Sequence, residues 1–232
     1  MPVRRAVVTL ACALLAGPAL AACGGGEPAE SAQGLLDRAK TTLDEAQTAH
    51  FVLDSENAPT TGTALVGGEG DLSRPASFRG TLEVRASGST VDLDVVSVDD
   101  TVYAQLPFTS SFTVIDPAQF GFGDPGALLD PDTGISQLLA QAEDAELGDE
   151  RRVGGEVVRE VTAELPGDLV EQILTSADPS RPVEAVLSIA TDSGELRRVE
   201  LTGPFFTGGD STFVLELNDF GADVQITAPP TG

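Results

Sequence analysis

Tryptophan is absent from this 232-residue chain, and tyrosine, histidine and methionine occur once each. Cysteine occurs twice, at Cys12 and Cys23, both near the amino terminus. Each scarcity excludes a chemistry. Beyond Cys23 there is no thiol, so no disulfide staples the chain, and its stability has to come from burial and backbone pairing. With one histidine, His50, a Cys–His dyad is excluded and a Ser-His-Asp site has a single possible base. Zinc sites take several His or Cys ligands, and these do not exist here. His50 follows the first helical segment, where a histidine ordinarily caps the last carbonyls. Cations are scarce too: 13 Lys plus Arg stand against 37 Asp plus Glu, a net charge of −24. Phosphate contacts need Lys and Arg, so nucleic acid is not a partner. A basic patch for anionic headgroups is also missing.

Several site motifs fail on spacing. "GTALVGGEG" has no Lys-Ser/Thr and is no phosphate loop. "DPDTG", Asp130 to Gly134, lacks the ligand spacing of a calcium loop. It reads as a turn in which Asp132 or Thr133 caps the next helix. Asp92 and Asp94 share a strand face, but in so acidic a chain such a pair reads as a solvated face. No cofactor and no enzymatic activity are expected.

Long apolar runs are lacking except at the start. "MPVRR" is followed by "AVVTLACALLAGPALAA", a basic opening, a short apolar run and small residues, which together make residues 1–22 a secretory signal peptide. No later stretch approaches the ~20 apolar residues of a membrane helix. The run ends "LAAC", Leu20 to Cys23, with the form of a bacterial lipobox. Its cysteine would carry a diacylglyceryl thioether and begin the mature chain. One acyl chain holds weakly, at about 0.8 kcal/mol per buried methylene, whereas two anchor stably. The expected location is extracytoplasmic, lipid-anchored to the cell membrane through Cys23. Residues 23–32 are the lipidated cysteine and a Gly-rich, flexible tether; 33–232 form the domain.

In that domain "QGLLDRAKTTLDEAQT" (33–48) repeats Leu35, Leu36, Ala39, Leu43 and Ala46 at helical spacing. From His50 the period becomes two. "HFVLDSEN", "FRGTLEVRAS", "STVDLDVVSV" and "TVYAQLP" read as strands. They turn at Gly88 and Asp99–Asp100, with Val91, Leu93 and Val95 facing away from Asp92, Asp94 and Val96. Residues 108–134 are irregular, rich in Pro, Gly and Asp. "ISQLLAQAED" and "PGDLVEQILTS" are short helices. Hairpins turn at Gly154–Gly155 and at Asp192–Gly194, "STFVLELNDFG" is another strand, and "DVQIT" is the last. Roughly ten strands and three interspersed helices indicate a single α+β domain.

The sheet has one apolar face and few helices to cover it. Periodicity does not separate a filled core from a hollow, and alone it favours the filled core. A resemblance shifts that balance. The lipobox, "AQTAHFVL", "GDLSRPASFRGTLEV", "GSTVDLDVVSVDDTVYAQL", "DPAQ…LLDPDTGISQLLAQAEDAE" and the ending "VQITAPPTG" resemble the mycobacterial LprG/LppX/LprA/LprF lipoprotein family, its LprG branch most of all. The "FGFGDPG" segment and the strong acidity depart from the family pattern and bear on the cavity entrance and the headgroup.

The resemblance implies an antiparallel sheet curled into a half-barrel, helices over its concave face, and a hydrophobic cavity between them. That cavity would bind di- or triacylated lipids or glycolipids for carriage across an actinobacterial envelope, with a major-facilitator efflux transporter as partner. On that reading the pocket is built from Leu82, Val84, Val91, Leu93, Val95, Val102 and Ala104 on the central strands. Leu138 and Leu139 come from the roofing helix, and Leu187, Ile189, Leu201, Phe213 and Leu215 from the later strands. Leu82 and Leu93 are the most central. The alternative is a solid-cored envelope lipoprotein that serves a transporter or assembly complex without binding lipid.

Overall fold

The computed structural model describes residues 30–86, 88–206 and 209–231. Residues 1–22, expected to be a signal peptide, Cys23 and residues 24–29 of the expected tether lie outside the described residues. The first helix, α1 (Ala32–Glu45), starts where Ser31 Oγ accepts the Gly34 amide at 3.0 Å. It buries Leu35, Leu36, Ala39 and Leu43, the stripe read from the sequence. It ends three residues before the expected end, because the chain is already extended by Thr48.

Six strands follow: β1 (Thr48–Glu56), β2 (Thr63–Ser73), β3 (Ser77–Ala86), β4 (Ser89–Val98), β5 (Thr101–Gln105) and β6 (Thr113–Val114). A crossover holds two 3-10 turns, Pro117–Phe120 and Pro125–Leu129, and the helix α2 (Ile135–Ala140). The second half runs β7 (Glu143–Val153), β8 (Glu156–Leu165), α3 (Gly167–Ile173), β9 (Val183–Ala190), β10 (Leu196–Phe206) and β11 (Gly209–Asn218). All eleven strands make one sheet in the order β6-β5-β4-β3-β2-β1-β11-β10-β9-β8-β7. Every neighbouring pair is antiparallel. Two meanders therefore grow from opposite edges and meet where β1 pairs with β11. The sheet curls but does not close, since β6 and β7 remain edges. One continuous apolar core runs from α1 through the inner face to α2 and α3.

Tight turns fall where expected. Asp99 and Asp100 have φ of 52° and 58°, Gly154 and Gly155 of 58° and 91°. Both pairs match the two-residue turn that joins twisted antiparallel strands, which needs left-handed backbone at both positions.

Five features add to or depart from what the sequence alone shows. The glycine-rich stretch around "GTALVGGEG" is a strand, β2. Its alternation is blurred because Gly70 lies opposite Gly80 and the Phe78 ring covers both. A Cβ on Gly70 would sit 2.3 Å from that ring, and one on Gly80 2.6 Å from it. Phe51 stacks on Phe78 at 5.3 Å. The rings thus fill the space the glycines leave open. Second, "DVQIT" joins no ladder. The chain there is extended, and Thr231 makes one isolated bridge to Phe112. Third, Val96 is not on the wet side but buried, opposite Tyr103 on β5. Fourth, His50 caps nothing. It lies in β1 with Nδ1 2.8 Å from Asp71 Oδ1 on β2, and Arg74 does the capping, donating to the carbonyls of Ala46 (2.7 Å) and Leu43 (3.2 Å). Fifth, neither Asp132 nor Thr133 caps α2. Gly134 precedes it without a side-chain bond, and Asp130 Oδ1 accepts from both backbone amides, Asp132 and Thr133.

Asp44 ties α1 to α2, accepting from Lys40 Nζ and from the buried Ser136 Oγ. Burial pushes its carboxyl up. The Lys40 and Ser136 hydrogen bonds and the Lys40 and Arg74 charges outweigh that and hold it below the ordinary carboxylate value of 3.8. A folded pKa below the unfolded one means stability that is complete above that value and lost as pH falls through the lower folded one. Asp44→Asn should therefore cost about 1 kcal/mol at pH 7, with the difference from wild type vanishing in acid. Paired urea melts across pH 2 to 7 measure it. A pH-independent difference would contradict the assignment.

Candidate functional site

The two meanders supply a floor and the crossover a roof, and between them a cleft remains. Phe51 and Leu53 of β1, Leu65 of β2, Leu82 of β3, Val199 and Leu201 of β10, and Phe213 and Leu215 of β11 form the floor. Phe122, Gly123, Asp124, Pro125 and Leu128 from the crossover, Ile135 and Leu138 of α2, Val170 and Ile173 of α3, and Leu174 just beyond it form the roof. Each floor residue is on the inner face because strand side chains alternate. The edge-to-face contact of Phe205 on Phe213, 5.0 Å between centroids, stiffens one wall.

The cleft's interior volume is about 70 Å³, room for a few methylenes but well below the roughly 300 Å³ at which drug-sized sites begin. Its walls are almost wholly aliphatic and aromatic. The single ionisable residue on them, Asp124, is spent on structure. Its Oδ1 accepts from the Gly126 amide at 2.8 Å and from Ser97 Oγ at 2.5 Å, fixing the start of the Pro125–Leu129 turn. The roof is pinned to α3 where the Gly123 amide donates to the Ile173 carbonyl at 2.9 Å. A Cβ on Gly123 would lie 2.2 Å from the Gln172 carbonyl oxygen, so only glycine allows this approach. Among the described residues that line the cleft there is no Ser, Thr, Cys, His, Lys or Arg, and its one carboxylate is bonded to its own wall. It can hold apolar matter. Among the described residues, no group of three or more His, Cys, Asp or Glu side chains could hold a metal ion.

Of the residues singled out in the sequence, Leu82, Leu138, Leu201, Phe213 and Leu215 border the cleft. Val84, Leu93, Val95, Val102, Ala104, Leu139, Leu187 and Ile189 are buried in the core away from its lining, and Val91 packs half-buried against that core. Leu82 and Leu93 are cross-strand partners, yet only Leu82 reaches the void. Sequence reasoning missed the floor residues of β1 and β2, and Val199. It also missed most of the roof. "FGFGDPG" is a wall of the cleft, contributing Phe122 through Pro125. The signal for α3 was present, since Ile173 and Leu174 form its apolar stripe, but nothing in the sequence aims that stripe at the sheet.

Residues 31–226 match the family model described as LppX_LprAFG lipoprotein. The chain belongs to that family. Among its relatives is the lipoarabinomannan carrier protein LprG of Mycobacterium tuberculosis, 28% identical over 227 residues, covering 97% of this chain and 93% of that protein. Two solved structures share the LppX_LprAFG fold. LprF from Mycobacterium bovis superposes with a TM-score of 0.69 at 18% identity, covering 87% of this chain and 97% of that one. LppX from Mycobacterium tuberculosis gives 0.63 at 13%, covering 84% and 98%. The open, eleven-stranded half-barrel is thus the fold of the LppX_LprAFG lipoproteins. Among the described residues no helix is long and apolar enough to cross a membrane.

Proposed function

We propose that this LppX_LprAFG lipoprotein is a non-enzymatic lipid carrier. Anchored to the outer side of the cell membrane through an acylated Cys23, it takes acyl chains of a di- or triacylated lipid or glycolipid into the cleft. It carries them across the envelope in concert with a major-facilitator efflux transporter. One observation carries the reading: an almost wholly apolar cleft, about 70 Å³ within, whose only carboxylate among the described residues is consumed by its own wall. The name of the LprG relative, a lipoarabinomannan carrier, supports the same cargo class. Each methylene moved from water into the cleft contributes about 0.8 kcal/mol. The sugar or phosphate headgroup has no partner inside and stays in water.

Capacity refines the proposal. At roughly 10–15 Å³ of interior space for a group the size of a water molecule or methylene, the interior of about 70 Å³ holds about five of them. The end of one acyl chain fits with the roof as it stands, and the rest of that chain already needs the roof to yield. A di- or triacylated cargo needs the crossover and α3 to lift. Titrating the domain with a fluorescent single-chain lysolipid and with its diacyl counterpart tests this. The single chain should bind rapidly, and the diacyl lipid more tightly but more slowly. If neither binds, the carrier reading falls and the solid-cored alternative replaces it.

A further inference from the structure

Charge is distributed unequally around the rim of the sheet. At one end lie Arg74, Asp99, Asp100, Arg151, Arg152, Glu156, Asp192, Glu195 and Asp219, in or beside the turns. At the other end the β1–β2, β3–β4 and β5–β6 connections fall within residues 57–68, 86–91 and 101–115. None of these stretches contains Asp, Glu, Lys or Arg, whereas the β7–β11 side of the same end carries Asp144, Asp168, Asp178, Arg181 and Asp210. The fifteen-residue run is the longest uncharged stretch from residue 30 onward.

At the apex of that end stands Phe108, fully exposed. Its φ is +68°. It follows Pro107 in a turn closed by the Thr109 amide on the Leu106 carbonyl at 3.1 Å. Such a turn, with proline second and left-handed backbone third, ordinarily has glycine in third place. Here an aromatic ring occupies it. The turn is braced by Thr109 Oγ1 on the Leu106 carbonyl (2.7 Å) and by Gln105 Nε2 on the Thr109 carbonyl (2.9 Å). The ring is held outward by its own loop rather than folded onto the protein. Val114, six residues on and 63% exposed on β6, also faces solvent.

We propose that the uncharged β1–β6 side of this end, with Phe108 as its inserted tip, docks on a lipid bilayer, and specifically on one facing the membrane that holds Cys23. An acidic domain is repelled by anionic headgroups everywhere except where it carries no charge. An exposed aromatic gains by entering the bilayer interface. The anchor attaches at the opposite end. Glu30, where the described chain begins, pairs with Arg38 at 3.0 Å. The Arg38 stem lies against Gly194 in the β9–β10 turn, so close that a Cβ there would be 2.8 Å from Arg38 Cγ. The eight residues between Cys23 and Ala32 span at most about 30 Å. The eleven-residue β2 alone is about 35 Å long. Phe108 therefore points away from the anchoring membrane. The inference rests on the carrier reading and its Cys23 anchor.

The absence of tryptophan makes the test clean. The full acylated chain carrying Phe108→Trp, its only indole, is reconstituted into phosphatidylcholine vesicles. Phosphatidylcholine vesicles with brominated acyl chains, which quench indoles buried among them, are then added. The emission should shift to the blue and lose most of its intensity, less so when the added vesicles contain phosphatidylglycerol. Leu147→Trp, exposed on β7, should keep its emission. Phe108→Asp should abolish vesicle bridging seen by light scattering. Emission unmoved by the added vesicles, or quenched by bromines in the anchoring vesicles alone, overturns the proposal. Mass spectra of lipid extracted from the same protein separate the two readings. Bound cargo without quenching sinks the docking surface, and quenching without cargo sinks the carrier.

Discussion

Leu82→Trp should empty the protein of lipid while leaving it folded. Leu82 sits on β3 with its side chain on the cleft floor, so an indole there grows into free space rather than into packed neighbours. If it displaces about four methylenes of cargo at ~0.8 kcal/mol each, affinity falls by about 3 kcal/mol, roughly a hundredfold. The cross-strand partner provides the contrast. Leu93 is 1% exposed and borders no void. Leu93→Trp should cost about 1–3 kcal/mol of stability by overpacking while its folded fraction still binds. Lipid titration and thermal melts of the two variants separate them. A Leu82→Trp that unfolds, or that binds as wild type does, would mean the void is not where cargo goes.

The largest stability effect is expected at a glycine. On Gly80 a Cβ would sit 2.1 Å from the Glu69 carbonyl oxygen and 2.6 Å from Gly70 Cα, both backbone atoms of β2. No rotamer change relieves a clash with backbone, so β2 and β3 must part where Phe78 seals them. Gly80→Ala should cost about 3 kcal/mol, lowering the melting temperature by about 6–12 °C. Gly88→Ala, in the open β3–β4 turn, meets nothing closer than 4.0 Å. With φ at +83° it should cost only about 1 kcal/mol. Equal losses at the two positions would contradict the packing account of β2.

Where each element's own period was strong, the fold was legible. The α1 stripe, the β3–β4–β5 meander and the turns at Asp99–Asp100, Gly154–Gly155 and Gly194 announce themselves locally. β2 did not, because its inward positions are partly glycines whose space Phe78 and Phe51 fill from neighbouring strands. No window of sequence contains that exchange. "DVQIT" alternates like a strand but finds no ladder. The cleft was legible only by half. Leu82, Leu201, Phe213 and Leu215 face inward by simple alternation, but so do Val95 and Leu187, which are solid core. What separates them is the position of the roof, and the roof is set by contacts distant in sequence: Gly123 on Ile173, Asp124 on Ser97, Asp44 on Ser136. Resemblance to a family supplied the hollow, whereas composition alone would have filled it.

The central claim is that the cleft holds acyl chains. Every core residue lies between Ala32 and Leu217, so the domain from Gly24 onward keeps its whole core without the anchor. Expressed in an actinobacterial host and examined by native mass spectrometry, it should carry one acylated lipid per chain, lost on Leu82→Trp. A folded, lipid-free domain that also refuses added lipid would contradict the account.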